Sequence, residues 1–562
     1  MDTPTANGAS GGGEGSSGGD RLGPSKRIDR GEYVRLLQQA LHRLGYAEVA
    51  LKLEQQSGIE MQPSFATSFQ AAVRSGDWPA AVALLPQVMA GPSARAEGEF
   101  LILRQKYHEL LGAGDQTGAL RCLRAELAPL NVNQAELHKL AVMLLCGQPE
   151  RPAGMVPEEH IAAQRSQVLE ELQGLLLPSL IIPDGRLEHL VEQALLMQVA
   201  NCPYHNGTPA HLSLFADYSA GPEQLPTQTV QVLDAHTDEV WHLQFSHDGK
   251  MLASASKDTT SIIWAITSSG ECSCLHTLKG VDTQLTYVAW SHDDSMLLTC
   301  GNSGDCGLWS VGSGQLLKRL KKHTSTVVAA AWFPAGDRFV TGGYDKRTVI
   351  WNTDGEVLRV IQDIRINDLV VTGDGEHLVC VVSEKHLRIH RLADDVSMQI
   401  NRDEPMTSLA LCPDGSQLLV NLASHTINLW SMANLKRQLG KAGGGGAAGG
   451  SRIPGPPPPG PHSQGDVLVE YKRGRPEKQG RFVIRSAFGG SHSNFVVSGS
   501  EDSQVYIWHK DTGDLLEVMP GHSGTVNAVS WNPVFPHILA SGSDDRSIRV
   551  WMSPVMTEAM QP

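Results

Sequence analysis

The chain has 562 residues, enough for two to four domains, with 19% charged residues and a formal net charge of −14 at pH 7. That acidic balance argues against a nucleic-acid binder, because neutralising phosphates needs a basic surface. Nine cysteines, an odd number without a secretory signal, point to reduced intracellular thiols and not to a disulfide framework.

Residues 1–27 are rich in Gly and Ser and carry no apolar core, so they read as a disordered tail and not as a signal peptide. Helical signals follow until about residue 200. In residues 28–60, Leu36, Leu37, Ala40, Leu41 and Leu44 share one helical face. Gly45 ends that helix, Tyr46 follows, and Val49, Ala50 and Leu53 continue on a second one before Ser57 and Gly58. Two helices this short cannot bury the stripe alone, so it needs either the next domain or a second copy of itself. The spacing resembles the LisH dimerisation motif, and the resemblance implies self-association through Leu36, Leu37, Leu41, Leu44, Tyr46 and Leu53. An ordinary helical hairpin within its own domain remains the alternative.

Residues 61–125 hold further helix pairs joined by Gly-Asp turns, with Asp77 and Asp115 as N-caps and Pro79 in a first turn. Their layout resembles the CTLH domain. More helices run through 126–210. The longest apolar run there, LLLPSLII, is too short to span a bilayer and is interrupted by Pro178.

Residues 227–552 are a repeat array. LASASKDTTSIIW, VTGGYDKRTVIW, VVSGSEDSQVYIW and LASGSDDRSIRVW end at Trp264, Trp351, Trp508 and Trp551. An Asp stands six residues before each Trp (Asp258, Asp345, Asp502, Asp545), and a hydroxyl four before that (Ser254, Thr341, Ser498, Ser541). Three units also carry an upstream His: His236, His323 and His522. A buried imidazole can bridge the Asp and the hydroxyl while the indole N–H donates to the hydroxyl, which satisfies every polar group. Recurrence of one site across an array signals fold and not a catalytic triad.

The resemblance is to WD-repeat propellers, and seven blades can be counted. Two more units keep Trp309 and Trp430 but have Ser303 and Ser424 in the Asp place, and read as having lost their polar partners. One unit has decayed further, with His390 in the Trp place. No β-rich run follows Trp551, so TQTVQVL (227–233) is expected to supply the outer strand of the last blade and close the ring near 552–562. Residues 441–466, KAGGGGAAGGSRIPGPPPPGPHSQGD, read as a disordered insertion between the fifth and sixth blades, and 553–562 as a tail.

No P-loop, kinase signature or HExxH occurs, and nothing pairs a nucleophile with a base. Cys272 with Cys274, and Cys202 with His205, offer two ligands each, too few for a metal site. The basic runs LKRLKKH (317–323) and YKRGRPEKQGR (471–481) read as solvated faces, with a docking surface as the alternative for each. No catalytic residue, cofactor or metal is therefore assigned.

The order LisH, CTLH, one seven-bladed propeller, with ALLMQVANCPYHN just before it, resembles the WD-repeat subunits of the GID/CTLH E3 ubiquitin ligase, the WD repeat-containing protein 26 family. The resemblance implies an α-helical half followed by a β-propeller, and a non-catalytic scaffold that joins ligase modules and presents substrates or adaptors on the propeller. Its partners would be other LisH–CTLH and RING subunits and further copies of itself, in cytoplasm and nucleus, with no nucleic acid or membrane. Three other readings stand beside it. A Topless-type co-repressor carries a long linker and two propellers, whereas this chain has one. A cullin-4 substrate receptor often shows Trp-Asp-x-Arg, whereas these Trps precede Ala265, Ser310, Asn352, Ser431, His509 and Met552. A G-protein β-like signalling scaffold is compatible with a propeller alone.

Overall fold

The computed structural model describes residues 21–146, 157–176, 182–183, 185–207, 212–362, 365–382, 385–443, 467–472 and 483–559. The chain forms two compact units, Met1–Leu196 and Met197–Pro562.

In the first unit, Arg21–Leu22 pairs antiparallel with Ile28–Asp29, so the tail expected over 1–27 is already structured from residue 21. Residues 1–20 lie outside the described residues. Helix α1 (Arg30–Arg43) starts at Asp29, whose carboxylate accepts from the Glu32 amide at 3.0 Å. It stops at Gly45, where φ is 88°, and α2 (Ala47–Ser57) follows. Helices α3 (Ser64–Ser75), α4 (Trp78–Val88), α5 (Pro92–Gly112), α6 (Gln116–Arg121), α7 (Gln134–Cys146) and α8 (Pro157–Gln173) come next. Asp77 and Asp115 cap α4 and α6 by accepting from the amides of Ala80 (3.2 Å) and Gly118 (2.8 Å). Phe69, Val73, Leu85, Val88, Ile102 and Leu172 form one core of this unit, and Phe100, Tyr107, Cys122 and Leu127 a second. Arg165 of α8 ties the first together: its guanidinium holds Glu109 of α5 through two 2.8 Å bonds and donates to the Arg74 carbonyl at the end of α3. Helix α9 (Arg186–Asn201) crosses the boundary between the units. Among the described residues no helix is long and apolar enough to cross a membrane.

The second unit is a ring of seven four-stranded antiparallel sheets. Six blades are continuous in sequence: 240–278, 285–321, 327–362, 366–401, 406–472 and 486–520. The seventh joins 526–552 to Gln228–Leu233, the outer strand, with Gln228 opposite Met552 and Leu233 opposite Ile548. The expected closure is therefore the one observed. The inner strands of neighbouring blades touch all the way round, Val526–Trp531 against Val240–Phe245 included. Each inter-blade gap is filled by apolar side chains from two blades; Leu243, Phe245, Ile262, Ala528 and Ile538 fill the one at the seam. Short sheets that are apolar on both faces, as the consecutive buried residues of Met251–Ser256 and Ile538–Ser543 show, thereby bury both.

Two expectations need correction. The insertion does not separate the fifth blade from the sixth. It leaves after Thr426–Ser431, the third strand of the fifth blade, and the chain returns as Val467–Lys472, the outer strand of that same blade. Its first part is α10 (Met432–Gly443), whose Met432, Leu435 and Leu439 are buried among Val381, Leu387 and Ile389 of the fourth blade. Residues 444–466 lie outside the described residues, as does most of the basic run 471–481. The expected C-terminal tail contains a short helix, α11 (Pro554–Ala559).

Candidate functional site

In every antiparallel blade the second-to-third-strand turn and the loop entering from the preceding blade lie at the same end, which gives the ring one face carrying the polar repeats. On it the predicted residues meet in three blades. His236 Nδ1 lies 2.8 Å from Asp258 Oδ2, and Nε2 lies 2.8 Å from Ser254 Oγ. His323 reaches Asp345 at 3.0 Å and Thr341 at 2.8 Å; His522 reaches Asp545 at 2.9 Å and Ser541 at 2.7 Å. The indoles of Trp264, Trp351 and Trp551 donate to those hydroxyls at 3.2, 2.9 and 2.8 Å. Each carboxylate also accepts from the amide after the His (Thr237, Thr324, Ser523), which pins the entering loop to the turn.

An Asp–His–Ser relay has the connectivity of a hydrolase triad. Here Ser254, Thr341 and Ser541 are 0% exposed and already take an indole N–H, so no substrate atom can reach them. Burial pushes the His522 imidazole below its ordinary value. Burial alone would raise the Asp545 carboxyl, but hydrogen bonds from Ser547 and the Ser523 amide, with His522 beside it, hold it down to about 2. The set is therefore a polar clamp inside each of these three blades.

The other blades depart from this pattern. In the sixth, Ser498 Oγ donates to the Gly499 carbonyl at 3.1 Å and Asp502 takes the Tyr506 hydroxyl at 2.5 Å. Trp508 Nε1 has no partner among the described residues, so Ser498, Asp502 and Trp508 are not joined as expected. The second blade was expected to have lost its partners, yet Trp309 Nε1 donates to Thr299 at 2.9 Å. The signal was available: Thr299 stands ten residues before Trp309, as Ser254 does before Trp264. In the fifth blade Val420 fills that place, and Arg402 stands where His236 stands in the first. Its guanidinium lies 4.6 Å above the Trp430 ring, and Trp430 Nε1 lacks a partner among the described residues. In the fourth blade Cys380 and His390 replace hydroxyl and Trp, beside a cavity of about 30 Å³ lined also by Thr348, Ile366 and Leu378.

One cluster was not foreseen. Arg485, just before the inner strand of the sixth blade, donates to Asp368 Oδ2 of the fourth at 2.8 Å and to the Val328 carbonyl of the third at 3.1 Å. Its guanidinium stacks 4.6 Å from the Tyr287 ring, which stacks 3.9 Å from His242. Asp368 also accepts from the amides of Leu369 and Leu409. Burial raises its carboxyl, and Arg485 opposes that rise. One half-buried side chain thus links non-adjacent blades across the ring. The only hint in sequence is an Asp inside the apolar run INDLVV.

Among the described residues one trio of possible metal ligands converges: Asp374, Glu376 and His377 at a hairpin of the fourth blade. The Lys436 ammonium of α10 lies 2.6 Å from Asp374 Oδ2 and already neutralises it.

In the helical unit Leu36, Leu37, Leu41 and Leu53 are half-buried, whereas Leu44 (68% exposed) and Tyr46 (59%) stand out in solvent with Val49 and Leu51. The buried residues of α1 are instead Gln38 and Gln39, which donate to the carbonyls of Ile59 and of Ile182 and Pro183. Apolar periodicity could not reveal them.

Comparison with known proteins agrees with this architecture. Residues 19–63 match the WDR26 Lis-homology domain. Five segments, 227–265, 272–310, 314–352, 483–509 and 513–552, match the WD domain, G-beta repeat. A WD repeat-containing protein 26 homolog of Arabidopsis thaliana is 38% identical over 547 residues, 95% of this chain and 87% of that protein. A WD repeat-containing protein WDS homolog of the same plant is 37% identical, over 94% of this chain and 97% of that protein. GID complex subunit 7 of Schizosaccharomyces pombe is 31% identical over 535 residues, 92% of this chain and 96% of that protein.

Proposed function

The chain belongs to the WD repeat-containing protein 26 family, together with GID complex subunit 7, and from that membership we propose that it is a non-catalytic subunit of a GID/CTLH-type E3 ubiquitin ligase. The observation that carries the reading is likeness along nearly the whole length, helical half and propeller together, to a protein named as a subunit of that complex. WD repeats alone would say only that the chain binds something.

In this reading the helical half joins ligase modules. Residues 28–60 contribute a self-association contact through Leu44 and Tyr46, with Leu36, Leu37, Leu41 and Leu53 behind them, and residues 61–210 bind LisH–CTLH subunits. An isologous contact of this kind favours closed dimers. Linking modules raises the effective concentration of substrate near the catalytic partners without new chemistry. The propeller recruits substrates or adaptors, and the ubiquitin-transfer chemistry belongs to RING-bearing partners. We place the protein in both cytoplasm and nucleus.

Affinity purification of the tagged full chain from its own cells, beside one lacking residues 28–200, tests this. RING-bearing LisH–CTLH proteins should be recovered with the full chain and lost with the deletion. Recovery of histone-modifying enzymes and transcription factors in their place would make the chain a co-repressor and overturn the ligase assignment.

A further inference from the structure

The propeller's polar-repeat face is not uniform in charge. We propose that its sector over the third and fourth blades is a docking surface for an acidic segment of a partner protein. The proposal deepens, and rests on, the recruiting role given to the propeller above.

Six cations converge there. Lys321 ends the outer strand of the second blade and Lys322 leads on into the third; Lys346 lies in the third blade's turn and Arg347 opens the strand after it. Arg365 enters the fourth blade and Lys385 lies at its turn. All are exposed except Arg347, which is half-buried. Contacts make the loops one surface: Arg347 Nη1 donates to the Lys322 carbonyl at 3.1 Å, and the Arg365 guanidinium lies 4.1 Å over the Tyr344 ring.

None of the six forms an ion pair among the described residues. Some cations elsewhere on the ring do, such as Arg319 with Asp305 at 3.0 Å, Lys257 with Glu239 at 3.0 Å and Arg391 with Asp394 at 2.7 Å, so what sets this sector apart is the clustering of its six. Of the acids nearest these cations, Asp345 is buried and taken by His323, and Asp305, opposite Lys321 in the strand register, is taken by Arg319. Asp363 and Glu384 adjoin it in sequence but lie outside the described residues, and exposed Asp403 and Glu404 bound it at the fifth blade. Across the ring the same face is mixed in charge: Asp238 and Glu239 of the first blade share Lys257, and Asp544 of the seventh lies beside exposed Arg546.

The molecule as a whole carries −14, which opposes approach of a long polyanion such as RNA or an anionic bilayer. A short acidic segment responds instead to charges within a Debye length, about 8 Å at physiological salt. The clustered cations therefore suit a segment of protein carrying Asp and Glu, with Tyr344 offering an apolar ring between the charges.

Fluorescence anisotropy of the purified full chain with a short fluorescein-labelled peptide of Asp, Glu and Gly tests the assignment. Binding is expected at low salt, weakening as salt rises. It should weaken about tenfold or more in the triple variant Lys322→Glu, Arg365→Glu, Lys385→Glu. The pair Lys250→Glu, Lys472→Glu, exposed lysines elsewhere on the propeller, should bind as the parent does. An unchanged melting temperature in the triple variant confirms that it folds. Absence of binding at low salt, or equal binding by the triple variant, overturns the proposal. So does tighter binding of poly-uridine or phosphatidylserine vesicles that the triple variant abolishes, since the sector would then read polyanions. Co-purification of RING partners with the triple variant distinguishes the outcomes: partners retained with peptide binding lost upholds both assignments, whereas partners absent even from the parent chain defeats the ligase reading alone.

Discussion

Trp309 and Trp430 hold the same place in two repeats, yet only Trp309 finds an acceptor for its indole N–H among the described residues, because residue 299 is Thr and residue 420 is Val. Thr and Val are nearly isosteric, so the pair isolates one hydrogen bond. Thr299→Val should cost about 1 kcal/mol, and Val420→Thr should gain a similar amount, both read by denaturant unfolding of the propeller. A Val420→Thr variant no more stable than its parent would mean that the Arg402 guanidinium over Trp430 already compensates. The complete clamp makes a pH prediction. His522 is held below its ordinary value near 6.5, so it stabilises the fold above that pH, and the contribution is lost as pH falls below it. Asp545, at about 2 against an ordinary 3.8, contributes above 3.8 and loses that contribution between about 4 and 2. Both slopes have one sign: stability falls on acidification. Asp545→Ala should lower stability at neutral pH by about 1–3 kcal/mol and flatten the decline below pH 4. Parallel acid-unfolding curves for variant and parent would contradict it.

Between α1 and α2 the apolar stripe divides into half-buried Leu36, Leu37, Leu41 and Leu53 and solvent-facing Leu44 and Tyr46. The division decides which variants test self-association. Charging Leu37 or Leu41 would also damage packing inside the hairpin, whereas Leu44→Asp with Tyr46→Ser removes exposed apolar surface alone. Light scattering of that double variant should show a smaller assembly with an unchanged melting temperature; unchanged mass would count against the contact. The insertion before the fifth blade's last strand shows the opposite case, a loop that begins as structure. Buried Leu435 and Leu439 dock α10 on the fourth blade, and Lys436 reaches Asp374. Leu435→Ala should cost about 2–4 kcal/mol, as for other buried Leu truncations. A loss too small to resolve would mean that α10 is only loosely held.

At the scale of the whole molecule the ring depends on a strand that comes from before the first repeat. A truncated chain beginning at residue 240 lacks Gln228–Leu233, leaves Ile548–Met552 as an open edge, and exposes the apolar seam. It should melt at lower temperature and aggregate, while one beginning at residue 221 should not; equal melting curves would sink the closure argument. The blade count, the closing strand, the two-part architecture and three of the clamps were legible in sequence, because a repeat states its spacing openly and closed rings admit few alternatives. Even the Thr299–Trp309 pair was legible from its ten-residue offset. Tertiary structure alone decided the rest. Only folding shows that Ser498 turns from Trp508 to a neighbouring carbonyl, that the insertion lies within the fifth blade, and that Arg485 meets Asp368, 117 residues away. Periodicity reports which face of an element is apolar. It carries no information on which polar group from a distant blade will satisfy another, since that partnership exists only once the ring has closed.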